Sequence, residues 1–169
     1  MQSQALTTKP VPSFLSLLSA HDHLSQLFLS HQEALIMDDF DLAMRRLRQF
    51  EIELRAHMTA EEELLLPVYA RAGRILGGPL EFFIREHKKL LEFVESFHVG
   101  LDQLQSAASG LRRDLIELLD SEAAFKNLMK HHDERERNIF YPALDRVTSE
   151  DERRELIKRC GDMLSKAKL

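Results

Sequence analysis

Two stretches of the chain pair a histidine with a glutamate one helical turn away. His57 is followed by Glu61 four residues on and by Pro67 ten residues on; His132 is followed by Glu136 and Pro142 at the same offsets. Residues four apart lie on one face of an α-helix. Each copy therefore offers an imidazole and a carboxylate to one point, and helical bundles build dinuclear metal centres from inward-pointing pairs of this kind. A second repeat accompanies the first: Leu17-Leu18-x-x-His21-x-x-Leu24 and Phe83-Ile84-x-x-His87-x-x-Leu90. Six groups, His21, His57, Glu61, His87, His132 and Glu136, thus fall where core residues belong. A buried carboxylate is costly alone, and a pair of cations resolves this. Four imidazoles would serve as terminal ligands and the two carboxylates as bridges. Mixed imidazole and carboxylate ligation suits iron, manganese or zinc. Six protein groups cannot complete two octahedra, so positions remain for a bridging oxygen and an exogenous small molecule.

The elements that must position these groups read as helices throughout. Residues 1–12 are polar, contain Pro10 and Pro12, and read as a loose arm. A first helix is expected from Ser13 as N-cap, with a stripe of Phe14, Leu17, Leu18, His21, Leu24, Phe28, His31 and Leu35. Asp38 or Asp39 caps a second helix, whose stripe runs Phe40, Met44, Leu47, Phe50, Leu54, His57, Glu61, Leu64 and Val68. Gly73 to Pro79 ends it. A third helix carries Leu80, Phe83, Ile84, His87, Leu90, Leu91, Val94, Phe97, Leu101 and Leu104, and Ser109-Gly110 breaks the pattern. A fourth carries Leu111, Leu115, Leu118, Phe125, Met129, His132, Glu136, Ile139 and Ala143. Ser149 onward looks like another helix start, giving a short fifth helix over 150–166. The expected fold is all-α: an up-down-up-down four-helix bundle over 13–146, then a C-terminal helical segment over 147–169. The chain reads as two helical hairpins, each contributing a lone histidine and then a histidine-glutamate pair, related by approximate two-fold symmetry.

Composition narrows the setting. At 44% hydrophobic residues the chain has enough apolar content for a packed core rather than disorder. A net charge of -5 with no basic block disfavours a nucleic-acid partner. The single cysteine, Cys160, excludes an internal disulfide framework and suits a reducing compartment. Residues 1–12 lack a signal-peptide pattern, and no apolar run approaches the ~20 residues that span a bilayer. The expectation is a cytoplasmic protein without a membrane partner.

The series His21, His57-x-x-x-Glu61, His87, His132-x-x-x-Glu136 resembles, in order and spacing, the motif of the hemerythrin-like family, the histidine-histidine-glutamate cation-binding domains. The resemblance covers about residues 13–146. It implies a non-heme di-iron centre, oxo- or hydroxo-bridged, in a four-helix bundle. It also implies a small ligand: oxygen, peroxide or nitric oxide. Activities in the family include oxygen carriage, oxygen or nitric oxide sensing, peroxide handling and repair of damaged iron centres. An enzyme acting on peroxide or nitric oxide is one outcome. The alternative is an iron or redox sensor acting through a protein partner, or as a homodimer. The sequence departs from the family's oxygen carriers, which have a second histidine four residues after the helix-three histidine. Leu91 stands there, which weighs against reversible oxygen carriage.

Other residues compete for roles. His131 with Glu136 gives the five-residue offset of the carriers, whereas the repeat register with Pro67 and Pro142 favours His132. His23 lies roughly 200° around the helix from His21 and reads as a surface histidine. His31 is ~15 Å along the helix from His21 and reads as a second-layer or bundle-end residue. Glu62 is a nearby carboxylate on what reads as a solvated face. Glu122 replaces an expected apolar residue, either as an acid on an access path or at an irregularity. Tyr69 and Tyr141 read as packing residues. Cys160 lies outside the expected bundle and carries no evident chemistry. Pro67 and Pro142 are expected to bend their helices just past the site.

Overall fold

The computed structural model describes residues 11–106 and 111–168. Residues 1–10 of the arm expected over 1–12, and the break at Ser109-Gly110, lie outside these residues. Among the described residues every regular element is helical and none is a strand. Ser13 caps the first helix as expected: its hydroxyl accepts from the Leu15 N–H at 3.2 Å and donates to Asp145 at 2.6 Å. A 3-10 turn, Phe14–Leu17, leads into α1, Leu18–Ile36. Asp39, not Asp38, caps α2, Phe40–Ala60, by accepting from the Leu42 N–H at 2.9 Å. Asp38 instead takes a left-handed turn conformation at φ 59°. Beyond α2 come a π-helical turn, Glu61–Leu65, the short α3, Leu66–Tyr69, and a 3-10 turn, Ala70–Ala72. The long helices α4, Leu80–Ser106, and α5, Leu111–Arg135, come next. A second π-helical turn, Glu136–Phe140, joins α5 to α6, Tyr141–Val147; α7, Glu150–Ala167, closes the chain. Helix α1 packs on α2, α4 on α5, and α2 on α4, so the helices form a bundle. Helix α7 lies against α2 and buries Leu156 and Cys160.

The apolar interior falls into two cores. One holds Phe28, Phe50, Phe97 and Phe125; the other holds Phe14, Tyr69, Phe83, Phe140 and Tyr141. Each histidine or glutamate of the repeats falls in sequence between residues of the two cores. On α1, His21 lies between Leu17 and Leu24; on α2, His57 lies between Leu54 and Ala60; on α4, His87 lies between Phe83 and Leu90. His132 and Glu136 lie between Phe125 and Phe140. The sequence thus builds a polar layer into an otherwise apolar bundle.

A π-helical turn precedes each of the two prolines at which a bend is expected. Proline has no N–H, and its ring clashes with the carbonyl four residues back. Each turn absorbs this with one extra residue: the Leu66 N–H reaches back to the Glu61 carbonyl, and the Tyr141 N–H to that of Glu136. Such turns are frequent at functional sites. The extra residue rotates the next helical segment by roughly 100°. Leu65, Leu66 and Tyr69 face inward after the first turn, while Val68 from the expected stripe is only half-buried. Phe140, Tyr141 and Leu144 face inward after the second, and Ile139 is half-buried. Ile84, expected inside, is exposed. The α3–α4 connection needs its glycine, because a Cβ on Gly78 would stand 2.6 Å from Ile139 Cγ2 and 2.7 Å from the Tyr69 hydroxyl. That hydroxyl donates to the Gly78 carbonyl.

Candidate metal centre

All six groups of the repeats are buried, none more than 5% exposed. They form two overlapping sets: His21, His57, Glu61 and Glu136, and Glu61, His87, His132 and Glu136. In each set one atom per residue lies within 4.8 Å of the others, and the two carboxylates belong to both sets. Helices α1 and α2 supply two imidazoles, α4 and α5 the other two, and each glutamate opens a π-helical turn.

The spacings suit coordination. Metal–nitrogen bonds of about 2.1 Å place ligand atoms roughly 3.0 Å apart at right angles and 3.4 Å apart at the tetrahedral angle. His21 Nε2 is 3.1 Å from His57 Nε2 and 3.0 Å from Glu136 Oε2. Glu61 Oε2 is 3.5 Å from His57 Nε2 and 3.4 Å from His87 Nε2, and His132 Nε2 is 2.8 Å from Glu136 Oε1. Buried side-chain atoms without a hydrogen-bond partner, among the described residues, are His21 Nδ1, His87 Nε2, His132 Nε2, Glu61 Oε2, both Glu136 oxygens and Asp133 Oδ1. Buried polar atoms are ordinarily paired, and a cation is the partner that imidazole nitrogens and carboxylates have in common.

Carboxylates stand behind the histidines, and two of them, Glu86 and Asp133, the sequence reading missed. Glu62 is partly exposed, as expected, yet its Oε1 accepts from His87 Nδ1–H at 2.7 Å. Glu86 accepts from His132 Nδ1–H at 3.0 Å and is itself held by Arg135. Asp133 Oδ1 stands 3.4 Å from His21 Nδ1. The Glu62 and Glu86 bonds fix which imidazole nitrogen of His87 and His132 carries the proton and leave the other free for metal. Each carboxylate adjoins a repeat residue in sequence, Glu62 after Glu61, Glu86 before His87 and Asp133 after His132. That adjacency was the available signal, but each serves a histidine on another helix.

Tyr141 is not a mere packing residue. Its hydroxyl donates to Glu61 Oε1 at 2.7 Å and lies 3.4 Å from His21 Nε2. Burial, then the Glu61 and Glu136 carboxylates, push the phenol well above its ordinary value, so it stays a proton donor. Burial pushes the Glu136 carboxyl up, but the His132 and His21 imidazoles outweigh it and hold Glu136 well below the usual range. Burial likewise lowers His132, and Glu136 and Glu86 carry it well above its ordinary value. His57 is left lowered, chiefly by burial. Burial pushes Asp133 up to about 6.

The competing residues lie elsewhere. His131 is 70% exposed, while His132 is buried in the cluster. His23 is 39% exposed and bonds Glu53 at 2.7 Å. His31 and Glu122 are fully buried together: His31 Nδ1–H donates to the Ala43 carbonyl at 2.8 Å, and Nε2 meets Glu122 at 2.9 Å. Gln32 donates to the other Glu122 oxygen at 2.8 Å. Glu122 is thus the partner of a histidine outside the cluster and not an acid on an access path. Leu91 packs half-buried against the core of α1, α2, α4 and α5. Cys160 is buried in the other core with Tyr141 and Ala60, and burial pushes its thiol up to about 12.

Fold and site together define a helical-bundle domain whose histidine and glutamate cluster can hold metal. The hemerythrin HHE cation-binding domain matches residues 16–144, and the chain belongs to that family. Neither the curated proteins nor the solved structures give a match. No helix among the described residues is long and apolar enough to cross a membrane.

Proposed function

We propose that the chain is a non-heme di-iron protein that binds or reacts with a small oxidant: oxygen, peroxide or nitric oxide. The observation that carries the reading is the pair of four-residue sets sharing Glu61 and Glu136, in a layer of buried atoms that lack other partners. His21 and His57 would hold one ion, His87 and His132 the other, and the two glutamates both. Iron held there supplies Lewis acidity and electrons to a bound oxidant. The protein's own groups do the rest. Glu62 and Glu86 keep the Nδ1 protons of His87 and His132 in place, so both Nε2 atoms point inward. Tyr141 orients Glu61 and holds a proton at the edge of the site. The two apolar cores on either side exclude bulk water. Leu91, an apolar residue where the carriers have a ligand, favours reaction over storage.

Anaerobic iron loading tests the reading. About two irons per chain are expected, with optical spectra that change on adding oxygen, peroxide or nitric oxide. One iron or fewer per chain removes the dinuclear reading. An oxygen spectrum that forms and vanishes over repeated oxygenation and deoxygenation overturns the preference for reaction over storage.

A further inference from the structure

The internal repeat allows the two halves of the cluster to be compared residue by residue, and they differ. His132 sits in a built clamp: Glu86, just before His87, accepts its Nδ1 proton, and Arg135, just before Glu136, holds Glu86. The residues at the matching places in the first repeat are Ala20, before His21, and Ala60, before Glu61. Neither can accept or hold a proton. His57, the counterpart of His132, instead lines a cavity of about 30 Å³ with Ala20, His23 and Glu53. The Glu53 carboxylate is engaged by His23 at 2.7 Å and by Gln49 at 2.7 Å. Among the described residues no carboxylate bonds His57 Nδ1.

The hold on the rings differs in the same sense. His87 and His132 are both held from behind through Nδ1, while their Nε2 atoms face Glu61 at 3.4 Å and Glu136 at 2.8 Å. His21 Nε2 and His57 Nε2 lie 3.1 Å apart, within hydrogen-bond distance of one another, and the Tyr141 hydroxyl is 3.4 Å from His21 Nε2. His21 Nδ1 is left without a hydrogen bond beside Asp133. An ion entering at His87 and His132 meets a preorganised pair. An ion entering at His21 and His57 meets two nitrogens at coordination spacing, 3.1 Å apart, but a His57 ring that no carboxylate holds from behind. Preorganisation lowers the free-energy cost of binding, and loss of an outer carboxylate typically weakens metal binding 10–100-fold.

We infer that the centre consists of two unequal metal positions: a tight one at His87 and His132 that fills first, and an exchangeable one at His21 and His57. The inference rests on the metal reading of the cluster and adds the order of filling. Glu86 is a positioning residue for the tight position, and Ala20 marks the missing counterpart.

The test is an anaerobic titration of the metal-free full chain with Co²⁺, monitored by calorimetry and by the visible cobalt spectrum. Two steps of one equivalent each are expected, at least tenfold apart in affinity. His57→Ala should keep the tight equivalent and lose the weak one; His132→Ala should lose the tight one. Glu86→Gln should weaken the tight step 10–100-fold. Ala20→Glu, if it folds with unchanged circular dichroism, should narrow the gap between the steps. Two equal steps in the unmodified chain, or loss of the tight equivalent in His57→Ala, overturn the inference while leaving the metal reading intact. No cobalt binding at all overturns both.

Discussion

Tyr141→Phe separates a positioning role from a ligand role at the centre. The substitution removes one oxygen from a fully buried ring. Its hydroxyl donates at 2.7 Å to Glu61 Oε1, and Glu61 is 2% exposed, so water cannot readily replace the donor. A hydrogen bond to a charged group contributes about 1.5–3 kcal/mol. In a domain of this size each kcal/mol shifts the melting temperature by roughly 2–4 °C. The metal-free variant should therefore melt about 4–8 °C lower, taking about 2 kcal/mol as the loss. Because the phenol is held well above its ordinary value, the shift should be the same throughout neutral pH. With metal bound, a cation compensates the Glu61 charge, so the difference between variant and parent should shrink. The assay is paired thermal denaturation with and without metal, alongside metal content. An unchanged melting temperature in the metal-free chain would refute the hydrogen-bond argument. Loss of bound metal as large as that caused by His132→Ala would show that Tyr141 is itself a ligand.

The same geometry sets three more outcomes. His132→Ala should lose metal and holo stability while His131→Ala changes neither, as measured by metal content and melting; the reverse ranking would place the carriers' offset on α5. Glu122→Ala should destabilise the chain by about 3–5 kcal/mol, because it strands the buried His31 and Gln32 donors, yet leave metal stoichiometry unchanged in denaturant titrations. The Cys160 thiol, 1% exposed and pushed up from 9.0 to about 12, should resist thiol reagents in the folded chain at pH 8. Its stabilising contribution is complete below pH 9, where the thiol is protonated in both states. Above that the unfolded chain releases the proton first, so stability falls by about 1.4 kcal/mol per pH unit until about 12. Alkaline denaturation compared with Cys160→Ala measures it.

The helical class and the convergence of the six polar positions were legible because both rest on local periodicity. A histidine and a glutamate four apart must share a helical face, and polar residues on an apolar stripe must be buried together. Features that sequence did not disclose depend on distances between helices or on a break in periodicity. Glu86 looks like an ordinary surface acid beside His87, and only the docking of α4 on α5 turns it toward His132. Glu122 and His31 each break an apolar stripe, but they are 91 residues apart and explain one another only in space. Tyr141 reads as packing in sequence because uninterrupted α-helical counting places it off the ligand face. The extra residue of the Glu136–Phe140 turn swings it in. Cys160 shows no role in sequence because nothing there says which face of the bundle α7 covers.

The carboxylates behind the imidazoles also bear on the order of events in folding. Glu62 and His87 are 25 residues apart, and Glu86 and His132 are 46 apart. The link between Glu61 and Tyr141 spans 80 residues, and that between His21 and Glu136 spans 115, as 136 minus 21. Loop-closure entropy rises with the logarithm of loop length, so closing 115 residues rather than 25 is harder by roughly 1.4 kcal/mol. Each half therefore has an accessible nucleus of its own, since His21 and His57 are 36 residues apart and Glu86 and His132 are 46 apart. Each hairpin can bring its own imidazoles together, and docking one hairpin on the other, which the longer Glu61–Tyr141 and His21–Glu136 links require, then closes the layer.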